Sequence, residues 1–166
     1  MKRKAIVLAL ALSVAGATGA LAHSEQKAGV LVTHPWVAPA QAGAMTTGHP
    51  TIVNRGDATI EIVKITSRAA GRLQLILDGE PVDTVSLGAG KTLSPKRLSI
   101  RFEDLAVDLP EGKAVPVKFH FAGRETMEIH MAIGRDTMNP EQVVELPPGH
   151  HGGDGEEKRS GEHRDR

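Results

Sequence analysis

An all-β domain, built as an antiparallel β-sandwich or barrel, is the architecture this sequence predicts. Three observations carry the expectation. Short runs of alternating apolar and polar residues recur along the chain at fairly regular spacing. Clusters of Gly, Pro, Asn and Asp separate them, and these residues favour turns for distinct backbone reasons. No segment shows the long apolar stripe that a core-facing helix requires. Many short strands with regular punctuation suit a sandwich or a barrel.

In chain order the runs are 29–33, 50–53, 59–66, 72–77, 92–100, 114–121 and 125–133. Turn signals lie between them at Asn54-Arg55-Gly56-Asp57, Asp78-Gly79-Glu80-Pro81, Gly88-Ala89-Gly90, Pro110-Glu111-Gly112 and Gly123-Arg124. The last two strands can be paired from the sequence. Val117, Phe119 and Phe121 alternate with Lys118 and His120; Met127, Ile129, Met131 and Ile133 alternate with Glu128 and His130. A loop of Gly123-Arg124-Glu125 predicts Phe121 opposite Met127, Phe119 opposite Ile129 and Val117 opposite Met131. A slip of one residue would set Phe119 against Glu128 and spoil the buried face. Met127 and Met131 are therefore expected in the core. His120 and His130 are expected on the outer face as diagonal neighbours about 7–8 Å apart, across the ladder from Glu128 and Lys118.

The two ends read differently from the middle. Lys2, Arg3 and Lys4 precede an apolar and small-residue run over 5–20, followed by Ala20-Leu21-Ala22. That order is the pattern of a cleavable export signal over 1–22, with His23 as the new first residue. The alternative is an uncleaved anchor, for which the run is short and rich in small residues. The product is expected to be soluble and periplasmic. Residues 23–28 are polar and expected to be flexible; 29–138 form the domain. Asn139-Pro140 and Pro147-Pro148 break structure, and 149–166 lack any apolar side chain, so 139–166 are expected to be a disordered, histidine-bearing tail.

Composition removes several function classes. Loss of 1–22 takes away three basic and no acidic residues from a chain balanced at 20 and 20, leaving a formal charge of −3. That is no nucleic-acid footprint. The absence of cysteine excludes thiolate catalysis, cysteine-bound zinc, iron–sulfur clusters and a blue-copper thiolate. No Gly-x-Ser-x-Gly elbow, phosphate loop, dinucleotide fingerprint or His-Glu-x-x-His occurs. Glu103-Asp104 is a lone acidic pair that reads as a solvated turn. No enzyme activity is expected.

His34-Pro35-Trp36 followed by Ala38-Pro39-Ala40, then Thr51-Ile52-Val53-Asn54-Arg55-Gly56-Asp57, resembles the PCuAC family of periplasmic copper chaperones. The likeness continues through Ser67-Arg68-Ala69-Ala70, Leu93-Ser94-Pro95 and Leu109-Pro110-Glu111-Gly112-Lys113 to Val117-Lys118-Phe119-His120-Phe121-Ala122-Gly123, in order and with similar spacing. It covers roughly 29–134. The resemblance implies a cupredoxin-like (Greek-key) β-sandwich, copper as the bound metal, and copper delivery toward cytochrome c oxidase or another copper-enzyme assembly factor as the setting.

The family's Cu(I) ligands are a His followed by Met residues, then a His-x-Met pair after a Pro-Gly-Gly turn, a soft set suited to Cu(I). Aligning Leu93-Ser94-Pro95 and Leu105 on that pattern puts Ser99 at the His position and Arg101 at the Met position. The first His falls near Ile76, and no Met occurs over 77–87. A guanidinium does not ligate and repels a cation, so the family's Cu(I) site is not expected here.

Other donors remain. His23, freed by cleavage, offers an α-amine and an imidazole to Cu(II), and is otherwise only the polar start of an exported chain. His150, His151 and His163, interleaved with Asp154, Glu156 and Glu157, make a compositional case for metal, with a solvated tail as the equal alternative. Met45 and His49, four residues apart, pair a thioether with an imidazole. His34 reads as structural. The expected function is copper handling at these donors. The rival is a metal-free interaction module with a basic patch of Lys96, Arg97 and Arg101, which reads equally as a guarded strand edge.

Overall fold

The computed structural model describes residues 24–137, 140 and 142–148. The ladder begins earlier than expected, because Ala28 and Gly29 both take positive φ (47° and 81°). Two such residues make the tight turn whose twist suits paired strands. They join β1 (Ser24–Lys27) to β2 (Val30–Val37), with Lys27 opposite Val30. Residues 24–27, expected to be flexible, are thus a strand. β2 runs past its predicted end because a bulge at His34 (φ 46°) lets the chain pass Pro35 and resume pairing at Trp36.

β3 (Thr46–Asn54) pairs with β2, and β4 (Ile60–Thr66) turns at residues 67–69 into β5 (Ala70–Leu77). Asp78-Gly79 forms a second turn of two positive φ angles (52° and 91°) into β6 (Glu80–Val82). β7 (Val85–Leu87), β8 (Thr92–Leu93), β9 (Leu98–Leu105), β10 (Ala114–Phe121) and β11 (Met127–Ile133) follow. The predicted strand over 92–100 is two strands, split where Arg97 and Leu98 return backbone bonds to Ser94 around Pro95.

The strands form one sheet in the order β6-β5-β9-β3-β2-β11-β10-β4-β7, with β1 and β8 beside β2 and β3. Its two end strands, β6 and β7, are consecutive in the chain, so the sheet rolls almost into a closed barrel. The ladders are antiparallel except β2 with β11 and a bridge from Ala114 to Val143. Alternate residues turn inward and meet in a single core that includes Ile52, Leu98, Phe102, Phe119, Ile129 and Met131.

The β10–β11 register corrects the expected one by two residues. Phe119 faces Met127, Val117 faces Ile129 and Val115 faces Met131. The even shift preserves which face is buried, as period-two geometry requires. It lengthens the loop, and Phe121 pairs instead with Ile62 across a bulge. His120 and His130 are consequently not neighbours. The His120 ring lies 2.9 Å from Thr66 Oγ1 and 3.3 Å from Thr126 Oγ1. His130 receives Glu25, whose Oε1 accepts from its backbone N–H at 3.1 Å. Lys118 and Glu128 pair with each other at 3.5 Å.

Beyond 138 the body continues. Val144 donates its N–H to Ala114 O at 2.9 Å and is buried in the core, with Leu146 packed beside it. Residues 142–148, assigned by sequence to the disordered tail, are therefore part of the domain.

Candidate metal and ligand face

Register places the positions of interest. Ile76 pairs with Ser99, and Gln74 with Arg101, across β5 and β9. On the other side of β9, Thr47 pairs with Arg101 and Gly48 with Ile100. The next step of that register brings His49 alongside Ser99, and His49 in turn pairs with Trp36. One cross-strand line therefore runs Ile76, Ser99, His49, Trp36 on the outer face. Phe102, Ile100 and Leu98 turn the other way, into the core.

Along this line the chemistry is sparse in metal donors. The indole of Trp36 and the imidazole of His49 stack with centroids 4.4 Å apart and planes 27° apart. Burial is the main cause that lowers the His49 pKa below its ordinary value. The nearby Arg135 charge acts in the same direction, and the backbone at Pro95 opposes both. Burial and the Arg135 charge thus both disfavour the imidazolium form of His49. Ser99 offers a hydroxyl, Ile76 nothing, and Arg101 a fixed cation. The Arg101 guanidinium is 4.0 Å from Glu103, which also meets Arg72 at 3.5 Å. Among the described residues no three His, Cys, Asp or Glu side chains converge as a metal would need.

Of the sequence-predicted pair, His49 lies within β3 and stacks on Trp36, while Met45 precedes the strand and is 65% exposed. His23, His150, His151 and His163 lie outside the described residues. The basic patch is largely compensated: Arg97 donates two bonds to Asp78, at 2.8 and 2.6 Å, which lowers the Asp78 pKa. The sequence reading missed the joining of His49 with Trp36, Ser99 and Arg135. Its only trace was the alternation of 45–54, which puts 45, 47 and 49 on one face.

A family model for putative LpqE-like lipoproteins matches residues 30–133, most of the described domain. The chain belongs to the LpqE-like family. Its fold is that of PCuAC domains, in agreement with the resemblance read from sequence. The copper-bound PCuAC domain from PmoF2 superposes with a TM-score of 0.61 at 18% identity, covering 67% of this chain and 97% of that one. The apo PmoF2 domain gives 0.62 at 18%, covering 70% and 98%, and the apo PmoF1 domain 0.61 at 18%, covering 68% and 98%. A search of curated proteins gives no match. This LpqE-like chain and the PCuAC domains thus share a rolled β fold.

Proposed function

We propose that this LpqE-like protein is an exported, non-catalytic copper-handling protein of the periplasm, with copper as cargo. Its fold supports the reading, since that fold carries copper in the PmoF2 domain. One observation supports placing the cargo away from the sheet. The line Ile76, Ser99, His49, Trp36 supplies one imidazole and no thioether, and Arg101 and Arg135 raise the local positive charge. Copper does not fit there. The family's Cu(I) site is degenerate in this chain, and the donors that remain are His23 and the histidines of the tail.

Export signal cleavage before His23 would create the stronger of these, since an N-terminal histidine binds through both its amine and its ring. Imidazole and amine donors favour Cu(II) over other first-row divalent ions. Delivery toward cytochrome c oxidase assembly follows from the family resemblance, and a copper-enzyme assembly factor is the matching partner. Titration with Cu(II) of the protein beginning at His23, and of versions lacking His23 or 149–166, tests the proposal.

A second reading has an observation of its own. The guanidinium groups of Arg101 and Arg135, beside the Trp36–His49 stack, suit an anionic group better than a cation. On that reading the lost copper face binds a carboxylate of a protein or small ligand. Titration with acetate or a carboxylate-bearing peptide, read at the Trp36 fluorescence, separates it from the copper reading.

A further inference from the structure

Two strand edges face one another across the seam where the rolled sheet does not close. β4 pairs with β7 only over Ile60, Glu61 and Ile62, so residues 63–66 have no ladder on that side. β5 pairs with β6 only over Leu75, Ile76 and Leu77, so residues 70–74 are open as well. The corner at 67–69 joins the two edges. Between them lies a cleft of about 430 Å³, whose walls include Lys64, Thr66, Arg72, Leu73, Gln74 and Asp83. That volume lies within the range of ligand-binding clefts.

An open strand turns the N–H and C=O of alternate residues outward, and such edges are templates for another strand. Here two edges converge, so an inserted segment would meet peptide groups on both sides. Val63, on the β4 edge, is 39% exposed and is one of three large apolar side chains left exposed among the described residues. The charge around the cleft is mainly positive. Lys64 and Arg72 line it against a single carboxylate, Asp83. Arg68 stands at the corner and donates to Pro147 O at 3.2 Å. Arg72 has Glu103 as a partner, whereas Lys64 has no ion pair among the described residues.

We propose that this seam is a strand-addition site for an extended, acidic segment of a partner protein. The inserted strand would bridge β4 and β5 and complete the barrel. Main-chain bonds would hold it, and Lys64 and Arg72 would select its charge, the usual division of labour when a peptide joins a sheet edge. Lysine on an open edge also repels other edges, and the test separates the two roles.

The probe is a short capped peptide of alternating valine and glutamate, with a valine–lysine twin and a version interrupted by proline. Amide hydrogen exchange of the protein is followed with each. The glutamate peptide should slow exchange at residues 63–66 and 70–74. Lys64→Glu and Arg72→Gln, both exposed, should each weaken its binding about tenfold, with the melting temperature unchanged in Lys64→Glu. The lysine and proline peptides should not protect these amides. Equal binding of the lysine twin, or no protection at either edge, overturns the proposal. So does protection present without peptide and lost on deleting 149–166, which would make the chain's own tail the occupant.

Discussion

His49 lies on Trp36, ring to ring at 4.4 Å, on the outer-face line that continues to Ser99 and Ile76. The positions that the family resemblance assigns to copper ligands carry Ile76, Ser99 and Arg101 beside this stack. This single contact has consequences for pH dependence, and the strands around it have consequences for stability.

Burial, helped by Arg135, lowers the His49 pKa below the 6.5 of the unfolded chain. The unfolded state therefore binds more protons near that pH, and stability rises with pH. The contribution is complete above 6.5 and is lost as pH falls through that value toward the lower folded pKa. His49→Phe keeps a ring on Trp36 and removes the proton. Urea midpoints measured at about pH 7 and about pH 5 should fall less in His49→Phe than in the parent. An identical fall in both would contradict the assignment.

Asn54 is fully buried and fully bonded. Its side-chain amide donates to Ala58 O at 2.8 Å and Leu87 O at 2.9 Å, and its carbonyl accepts from Gly56 N at 3.0 Å. The Asn-x-Gly of the resemblance is thus a tie between the β3–β4 loop and β7. Asn54→Ala strands two carbonyls and one N–H, which should cost about 3 kcal/mol in urea unfolding. A loss under about 1 kcal/mol would show that water replaces the amide.

Gly48 lets β3 approach the core closely. A Cβ there would stand 2.8 Å from Met131 Cε and 3.0 Å from Phe102 Cε2. Both neighbours are fully buried, and overpacking of this kind costs about 1–3 kcal/mol. Gly48→Ala should lower stability by that amount, and adding Met131→Val should recover part of it. Additive losses in the double variant would mean that the two positions do not touch.

Much of this fold was legible because strand parity leaves a strong trace. The buried faces of β10 and β11 follow directly from Val117, Phe119, Phe121 and from Met127, Ile129, Met131, Ile133. Parity does not fix register, however, since a shift of two residues preserves the face, and here Phe119 rather than Phe121 meets Met127. β6 and β7, three residues each, are too short to show a period, and Pro81 and Ser86 blur them. Val143 and Val144, among prolines, gave no signal that they would pack against Ala114. The face around His49 was harder still. Its members come from β2, β3, β9 and the segment after β11, and only the sheet order makes them neighbours.

On the proposed function, copper is carried by the chain's end groups and not by the sheet. Isothermal titration with Cu(II) tests it, comparing the protein that begins at His23 with variants lacking His23, residues 149–166 or both, and with His49→Ala. The account predicts that removing both ends weakens copper binding about a hundredfold or more, a loss of about 3 kcal/mol, while His49→Ala changes nothing. Binding that survives both deletions and disappears with His49→Ala would contradict it.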